Sequence, residues 1–271
     1  MPIPPSNNLA RQASQGRALG VKFVQEVSIA EIAQAAGYDS LFIDLEHSSF
    51  SLDRTADICL AANLAGVSPF VRVPHECGNG FVQRVLDGDA KGIVVPHVRN
   101  AEDVHRAVEM VKYPPTGIRS INPSLLMKNG RSVDNSEARG ILAEQDAVSF
   151  VMIETLEALD NLDEIAAVPG LDVMLIGSMD ITMELGILAA WDHPSYQSAL
   201  LEVSQAASRH GKLWGISGLF SRPDIWTHAM QNLGARFIVG ALDRGLLSRA
   251  ATANVTALQS AMLEGVKQSC G

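Results

Sequence analysis

A single (β/α)8 barrel of the TIM type is the fold that three observations predict. Eight short apolar runs recur along the chain, helical patterns separate most of them, and the length of 271 residues suits one such barrel. The runs lie at residues 19–23, 40–44, 69–73, 92–95, 149–153, 172–176, 213–216 and 236–240. They are rich in Val, Ile, Leu and Phe, as strands buried on both faces are. Apolar residues at helical spacing fill 29–36, 52–65, 101–111, 156–167, 196–210 and 222–233, with Ser28 and Asn100 standing as N-caps. Strict alternation favours a closed parallel barrel. A doubly wound sheet would want a glycine-rich phosphate turn after its first strand, and Phe23-Val24-Gln25-Glu26 supplies none.

Two stretches exceed the minimal barrel. Residues 113–147, opening YPPTGIRSINPS, form a long turn-rich connection suited to a lid, a subunit contact or a plain surface excursion. Residues 245–266 read as a further amphipathic helix, rich in Ala and Leu, that packs on its own barrel or on a neighbour's. No repeat or linker divides the chain, so residues 1–271 are expected to be one domain.

Composition narrows the class. With 47% apolar and 19% charged residues the chain can build a large core, and its net charge of −9 argues against nucleic acid or an anionic membrane as partner. No apolar run reaches the roughly 18–20 residues of a membrane span, and MPIPPSNNLARQ lacks the apolar stretch of a secretory signal. Cys59, Cys77 and Cys270 show no paired spacing. These features lead to the expectation of a soluble, cytoplasmic protein.

In such barrels chemistry sits where strands run into their following loops. The second run ends in Asp44-Leu45-Glu46-His47, the third carries Arg72, the fourth ends at His97, the fifth at Glu154, and the sixth leads into Gly177-Ser178-Met179-Asp180. Glu154 and Asp180 on adjacent strand ends suit a hard divalent ion, Mg²⁺ before Mn²⁺ or Co²⁺, better than zinc. A helix N-cap and an ion pair are equally good readings of the two acids. Arg72 within a strand must meet a carboxylate or an anionic ligand; Asp44 or Glu46 would serve as well as a substrate. His47 and His97 are candidate proton carriers, because imidazole exchanges protons near neutral pH. His75 is a weaker one, and His105, His193, His210 and His228 fall on helices or caps.

At these residues the sequence resembles the HpcH/HpaI aldolase family, the metal-dependent 2-keto-acid aldolases. The segments AEIAQAAGYDSLFIDLEH, FVRVP, VLDGDAKGIVVPHV, YPPTGIRS and VMIETLEALDNLDEIAAVPGLDVMLIG, then the Asp of GSMD, occur in family order across nearly the whole barrel. The PHV triplet at His97 has a macrophomate synthase-like form. The resemblance implies a class II aldolase, a carbon–carbon lyase that forms a pyruvate enolate from a 2-keto acid such as pyruvate or oxaloacetate. The enolate would add to an aldehyde or other acceptor, with oxaloacetate decarboxylation as a related activity. It makes Glu154 and Asp180 the metal ligands and Arg72 the contact to the enolate oxygen. His47 becomes the acid/base residue, directly or through a metal-bound water, supported by Asp44 and by Asp87, which reaches across from a neighbouring subunit. The backbone of Gly177, Ser178 and Met179 would receive the substrate carboxylate. A homohexamer with exchanged C-terminal helices is implied as well.

Two departures touch substrate preference. Ser178 and Met179 stand where the family usually has proline and a small residue, and Asp89 stands at a usual glycine. Three rival readings remain at this level. A Schiff-base aldolase would use Lys22 or Lys212, a catalytically altered barrel would only bind a keto acid, and a lyase acting on a CoA thioester would want a basic patch that the sequence does not offer.

Overall fold

The computed structural model describes residues 28–123, 127–128, 131–132, 134 and 147–269. The chain forms two compact units, one spanning residues 25–240 and one that includes the chain from residue 241 onward.

The first unit is built on one sheet of seven parallel strands, β1 Ser40–Asp44, β2 Ser68–Arg72, β3 Gly92–Val95, β4 Val148–Ile153, β5 Val173–Gly177, β6 Leu213–Ser217 and β7 Phe237–Ile238, adjacent in that order. Parallel neighbours need crossovers, and helices supply them: α1 Ile29–Ala36 precedes β1, and α2 Leu52–Leu64, α3 Asn79–Asp87 and α4 Ala101–Val111 follow in alternation. Then come α5 Leu156–Asp160, α6 Leu162–Ala167, α7 Ser178–Glu184, α8 Pro194–Arg209 and α9 Pro223–Thr227. Seven of the eight expected strands are therefore present. The eighth, at residues 19–23, lies outside the described residues, as does Lys22.

The sheet curls strongly. Phe70 on β2 and Phe237 on β7 lie with ring centroids 5.6 Å apart, whereas five strand spacings in a flat sheet would separate them by about 24 Å. Phe150 packs between them at 4.9 and 5.1 Å. The two-residue period of a strand divides the core. One row points inside the curl (Val94, Phe150, Met152, Val173 and Leu175, with Phe42 and Phe70). The alternate residues point at the helices: Ile43, Val71 and Ile93 in one cluster, Val151, Ile153, Met174 and Ile176 in another. Phe150 is fully buried; truncating it to Ala should cost about 3–5 kcal/mol.

Several local expectations shift for visible reasons. The predicted helix at 156–167 is two helices broken at Asn161, whose backbone leaves the helical region (φ −110°, ψ 20°) while its side-chain amide donates to the carbonyls of Arg99 and Glu157. The helix at 222–233 runs as α9 and then widens into a π turn, His228–Asn232. Asn100 caps α4 by accepting from the Asp103 N–H, but Ser28 has helical backbone angles and its side chain does not cap α1. Asp89 sits at φ +69°, a left-handed position that suits glycine and that Asp tolerates better than most side chains. The long connection from residue 113 is described only in part; it contains a two-residue antiparallel ladder, Met127–Lys128 with Arg131–Ser132.

In the second unit, α10 Asp243–Ser269 spans 27 residues, about 40 Å of helix. Leu246, Leu247 and Leu258 on it are exposed. No helix among the described residues is long and apolar enough to cross a membrane.

Candidate active site

Strand register and period build the site. Asp44 and Arg72 are the last residues of β1 and β2 and are register partners. Each ends an inward row begun by Phe42 and Phe70, and Glu154 extends in the same way the row of Phe150 and Met152. Charged side chains thus cover an apolar floor at the C-terminal end of the sheet.

Arg72 is held from two sides. Its Nε and Nη2 donate to the two Asp44 oxygens at 2.9 and 2.6 Å, and Nη1 stands 3.1 Å from Glu46 Oε2, while the guanidinium lies over Phe42. The internal ion pair foreseen as an alternative is therefore formed, with both acids at once. Burial works against an ionised Asp44, yet the Arg72 guanidinium and the Glu46 and His47 N–H groups hold its carboxyl below the usual value. Burial likewise works against charged Arg72, and Asp44, Glu46 and Glu154 outweigh it and raise its pKa. Asp44 also organises the turn behind it. Its Oδ1 accepts from the N–H groups of Glu46 and His47, and its carbonyl accepts from Ser48 Oγ.

His97 bridges two carboxylates. Its Nε2 is 3.3 Å from Glu46 Oε1, and its Nδ1 is 3.2 Å from Glu154 Oε1, which also accepts the His97 backbone N–H at 2.8 Å. The residue holds φ +55° to do this, a conformation costly for a non-glycine and common at functional sites. His75 packs edge-on against its ring. His47 stands at the rim with a 66% exposed side chain, its Nε2 3.7 Å from Glu46.

Glu154 is buried, and its Oε2 has no hydrogen-bond partner. Desolvation, opposed by the His97 N–H and reinforced by the charge of Asp180, pushes its pKa up to about 7. Gly177 is required opposite it, since a Cβ there would collide with Glu154 Oε2. An orphaned, buried carboxylate oxygen beside a second carboxylate is the donor set a hard divalent cation fits. Among the described residues no group of three or more His, Cys, Asp or Glu is arranged to hold a metal.

Ser178 and Met179 diverge. Ser178 is buried, its hydroxyl against Tyr196 OH at 2.8 Å, whereas Met179 is 41% exposed. Asp87 is not brought to the cluster: it ends α3 at the opposite end of the sheet, bonded to Gln83 and facing Arg119 at 4.0 Å. Lys212 is also at that end, its ammonium donating to the carbonyls of Val168 and Leu171. The Schiff-base alternative loses it, because an amine committed to two carbonyls away from the mouth cannot attack a substrate there. Glu46, from the sequence only an alternative ion-pair partner of Arg72, also meets His97 and His47. The signal available was an acid two residues past Asp44, the residue in register with Arg72.

A family model described as HpcH/HpaI aldolase/citrate lyase matches residues 23–250. The chain is 40% identical over 261 residues to the 4-hydroxy-4-methyl-2-oxoglutarate aldolase tasA of Hapsidospora irregularis, covering 95% of this chain and 97% of that one. Among solved structures, the HpcH/HpaI aldolase from Desulfitobacterium hafniense DCB-2 superposes with a TM-score of 0.77 at 27% identity, over 93% of this chain and 96% of that one. Macrophomate synthase does so at 0.74 and 25% identity, over 91% and 83%.

Proposed function

Because the chain belongs to the HpcH/HpaI aldolase/citrate lyase family, we propose that it is a divalent-metal-dependent aldolase that cleaves and forms the carbon–carbon bond beside a 2-keto acid by way of a pyruvate enolate. The observation that carries the reading is the buried, unpartnered Glu154 Oε2 beside Asp180 and within the field of Arg72. Glu154 and Asp180 would hold the cation, Mg²⁺ in the first instance, and when bound it supplies Lewis-acid stabilisation of negative charge on the keto oxygen, worth several kcal/mol.

By likeness to its relative, the substrate class is 4-hydroxy-4-methyl-2-oxoglutarate and its analogues. Breaking the bond between C3 and C4 leaves the electron pair on the keto-acid half as an enolate. The C4 hydroxyl gives up its proton and becomes a carbonyl, so two pyruvates result once C3 is protonated. Arg72, fixed by Asp44 and Glu46, presents a positive donor where the enolate oxygen develops and need not reorient to do so. His47 at the rim takes the hydroxyl proton. His97 keeps Glu154 in place from between the two acids. The backbone of Gly177, Ser178 and Met179 receives the substrate carboxylate. Oxaloacetate loses CO₂ through the same enolate, which makes decarboxylation the companion activity.

The closed eight-stranded barrel, the exchange of α10 between subunits and a homohexameric assembly belong to the same proposal. The exposed leucines of α10 support the exchange, and the placement of Asp87 suits a role in a neighbour's site.

Purified protein given 4-hydroxy-4-methyl-2-oxoglutarate and Mg²⁺ should release two pyruvates per molecule cleaved. EDTA should stop the reaction, and Mg²⁺, Mn²⁺ or Co²⁺ should restore it. Full turnover in excess EDTA would contradict the reading.

A further inference from the structure

Three of the groups at the mouth meet on a side chain given no role above except as a prop for Arg72. Glu46 lies in the turn that Asp44 builds, and its carboxylate is only 9% exposed. One oxygen is 3.3 Å from His97 Nε2; the other is 3.1 Å from Arg72 Nη1 and 3.7 Å from His47 Nε2. That second oxygen is buried yet has no hydrogen-bond partner, since the guanidinium approaches it off the bonding direction.

Charge balance alone does not account for this acid. Asp44 already meets Arg72 through two hydrogen bonds, and a second carboxylate taken out of water is costly when one of its oxygens is left without a donor. Geometry accounts for it better. Nε and Nη2 of Arg72 are committed to Asp44, so Nη1, which otherwise donates only weakly to Met152 Sδ at 3.7 Å, is the edge that would meet a ligand, and Glu46 stands against that edge. The same carboxylate holds the far side of the His97 ring, whose near side rests on Glu154. Glu46 is in ion-pair contact with both the guanidinium and the imidazole.

Resting on the aldolase reading above, we propose that Glu46 is a positioning residue for enolate formation: it clamps Arg72 Nη1 and His97 in a single geometry about Glu154, so that the guanidinium meets the developing enolate oxygen without turning. Glu46 itself touches no reacting atom. Its effect is carried through Arg72.

The test is the metal-dependent exchange of pyruvate methyl protons for deuterium in D₂O, followed by NMR, which reports enolate formation without any acceptor. Glu46→Ala should slow exchange at saturating pyruvate on the order of 10²-fold, the scale of a small misplacement of a positioned group, while the KM for pyruvate and the Mn²⁺ affinity stay near wild type. In an Arg72→Lys background the same change should cost little, because residues acting through one another are not additive. Glu46→Gln keeps the shape and should lose roughly tenfold, and it serves if the alanine variant does not fold. Wild-type exchange in Glu46→Gln, or an equal loss from Glu46→Ala in both Arg72 backgrounds, overturns the proposal. Absence of metal-dependent exchange in the wild-type protein would instead remove the aldolase reading, so the two failures are distinguishable.

Discussion

At the N-terminal end of the sheet, Asp172 receives the Lys112 ammonium, the Ser149 N–H and the Ser149 hydroxyl, and Lys212 donates to two backbone carbonyls. At the C-terminal end, Glu46 and Glu154 each keep a buried oxygen without a hydrogen-bond partner, and His97 holds a left-handed backbone to reach them both. The same strands carry both arrangements. A partly exposed acid whose partners are supplied, as Asp172 is, contributes to stability and little else, whereas the buried acids Glu46 and Glu154, each with an oxygen short of a partner, are tolerated where a ligand completes them. The two ends should therefore respond to substitution in different currencies, rate at one and melting temperature at the other.

The largest effect expected from that contrast is at Arg72. Arg72→Ala should reduce turnover on the order of 10²-fold or more; a near-wild-type rate in a steady-state assay would remove the guanidinium from the chemistry. At the other end, Asp172→Asn should leave turnover unchanged and lower stability by about 1–3 kcal/mol, since it weakens a multiply bonded acid and leaves Lys112 less well paired. Urea unfolding followed by circular dichroism measures this, and a loss of rate without a loss of stability would erase the distinction between the ends.

A subtler effect separates the ends by pH. The Asp44 carboxyl lies below its usual value in the folded chain. Its stabilisation is therefore present above the usual carboxylate range and lost as pH falls through the folded value. The melting temperature of the wild type should drop below about pH 4, and Asp44→Asn should flatten that drop; an unchanged acid limb would mean that the Asp44–Arg72 pair adds no net stability. The smallest effect is at Lys212. Lys212→Met should keep full activity, and borohydride with pyruvate should label neither form; trapped pyruvate at Lys212 would restore the Schiff-base reading.

Much of this contrast is legible in the amino-acid order. IDLEH, FVRVP and VMIET each break an apolar run with a charged residue in phase with the inward row, so Asp44, Arg72 and Glu154 could be placed at one end from the two-residue period alone. What was not legible depended on signals that a chain does not carry locally. The helices α3 and α7 begin at glycines without side-chain caps, so neither announces its start. The inward turn of the Ser178 hydroxyl depends on Tyr196, a residue 18 positions away. The commitment of Lys212 to carbonyls at the far end, and the convergence of Arg72, His97 and His47 on Glu46, are set by packing between loops and not by spacing.

Glu154 and Asp180 are proposed to form an acidic pair completed by one divalent cation. Titration of the apo protein with Mn²⁺, monitored by calorimetry and by the loss of the free-ion EPR signal, tests it without reference to turnover. One site per chain is expected in the wild type and its loss in both Glu154→Gln and Asp180→Asn, with the fold intact by circular dichroism. Undiminished Mn²⁺ binding in those variants would contradict it.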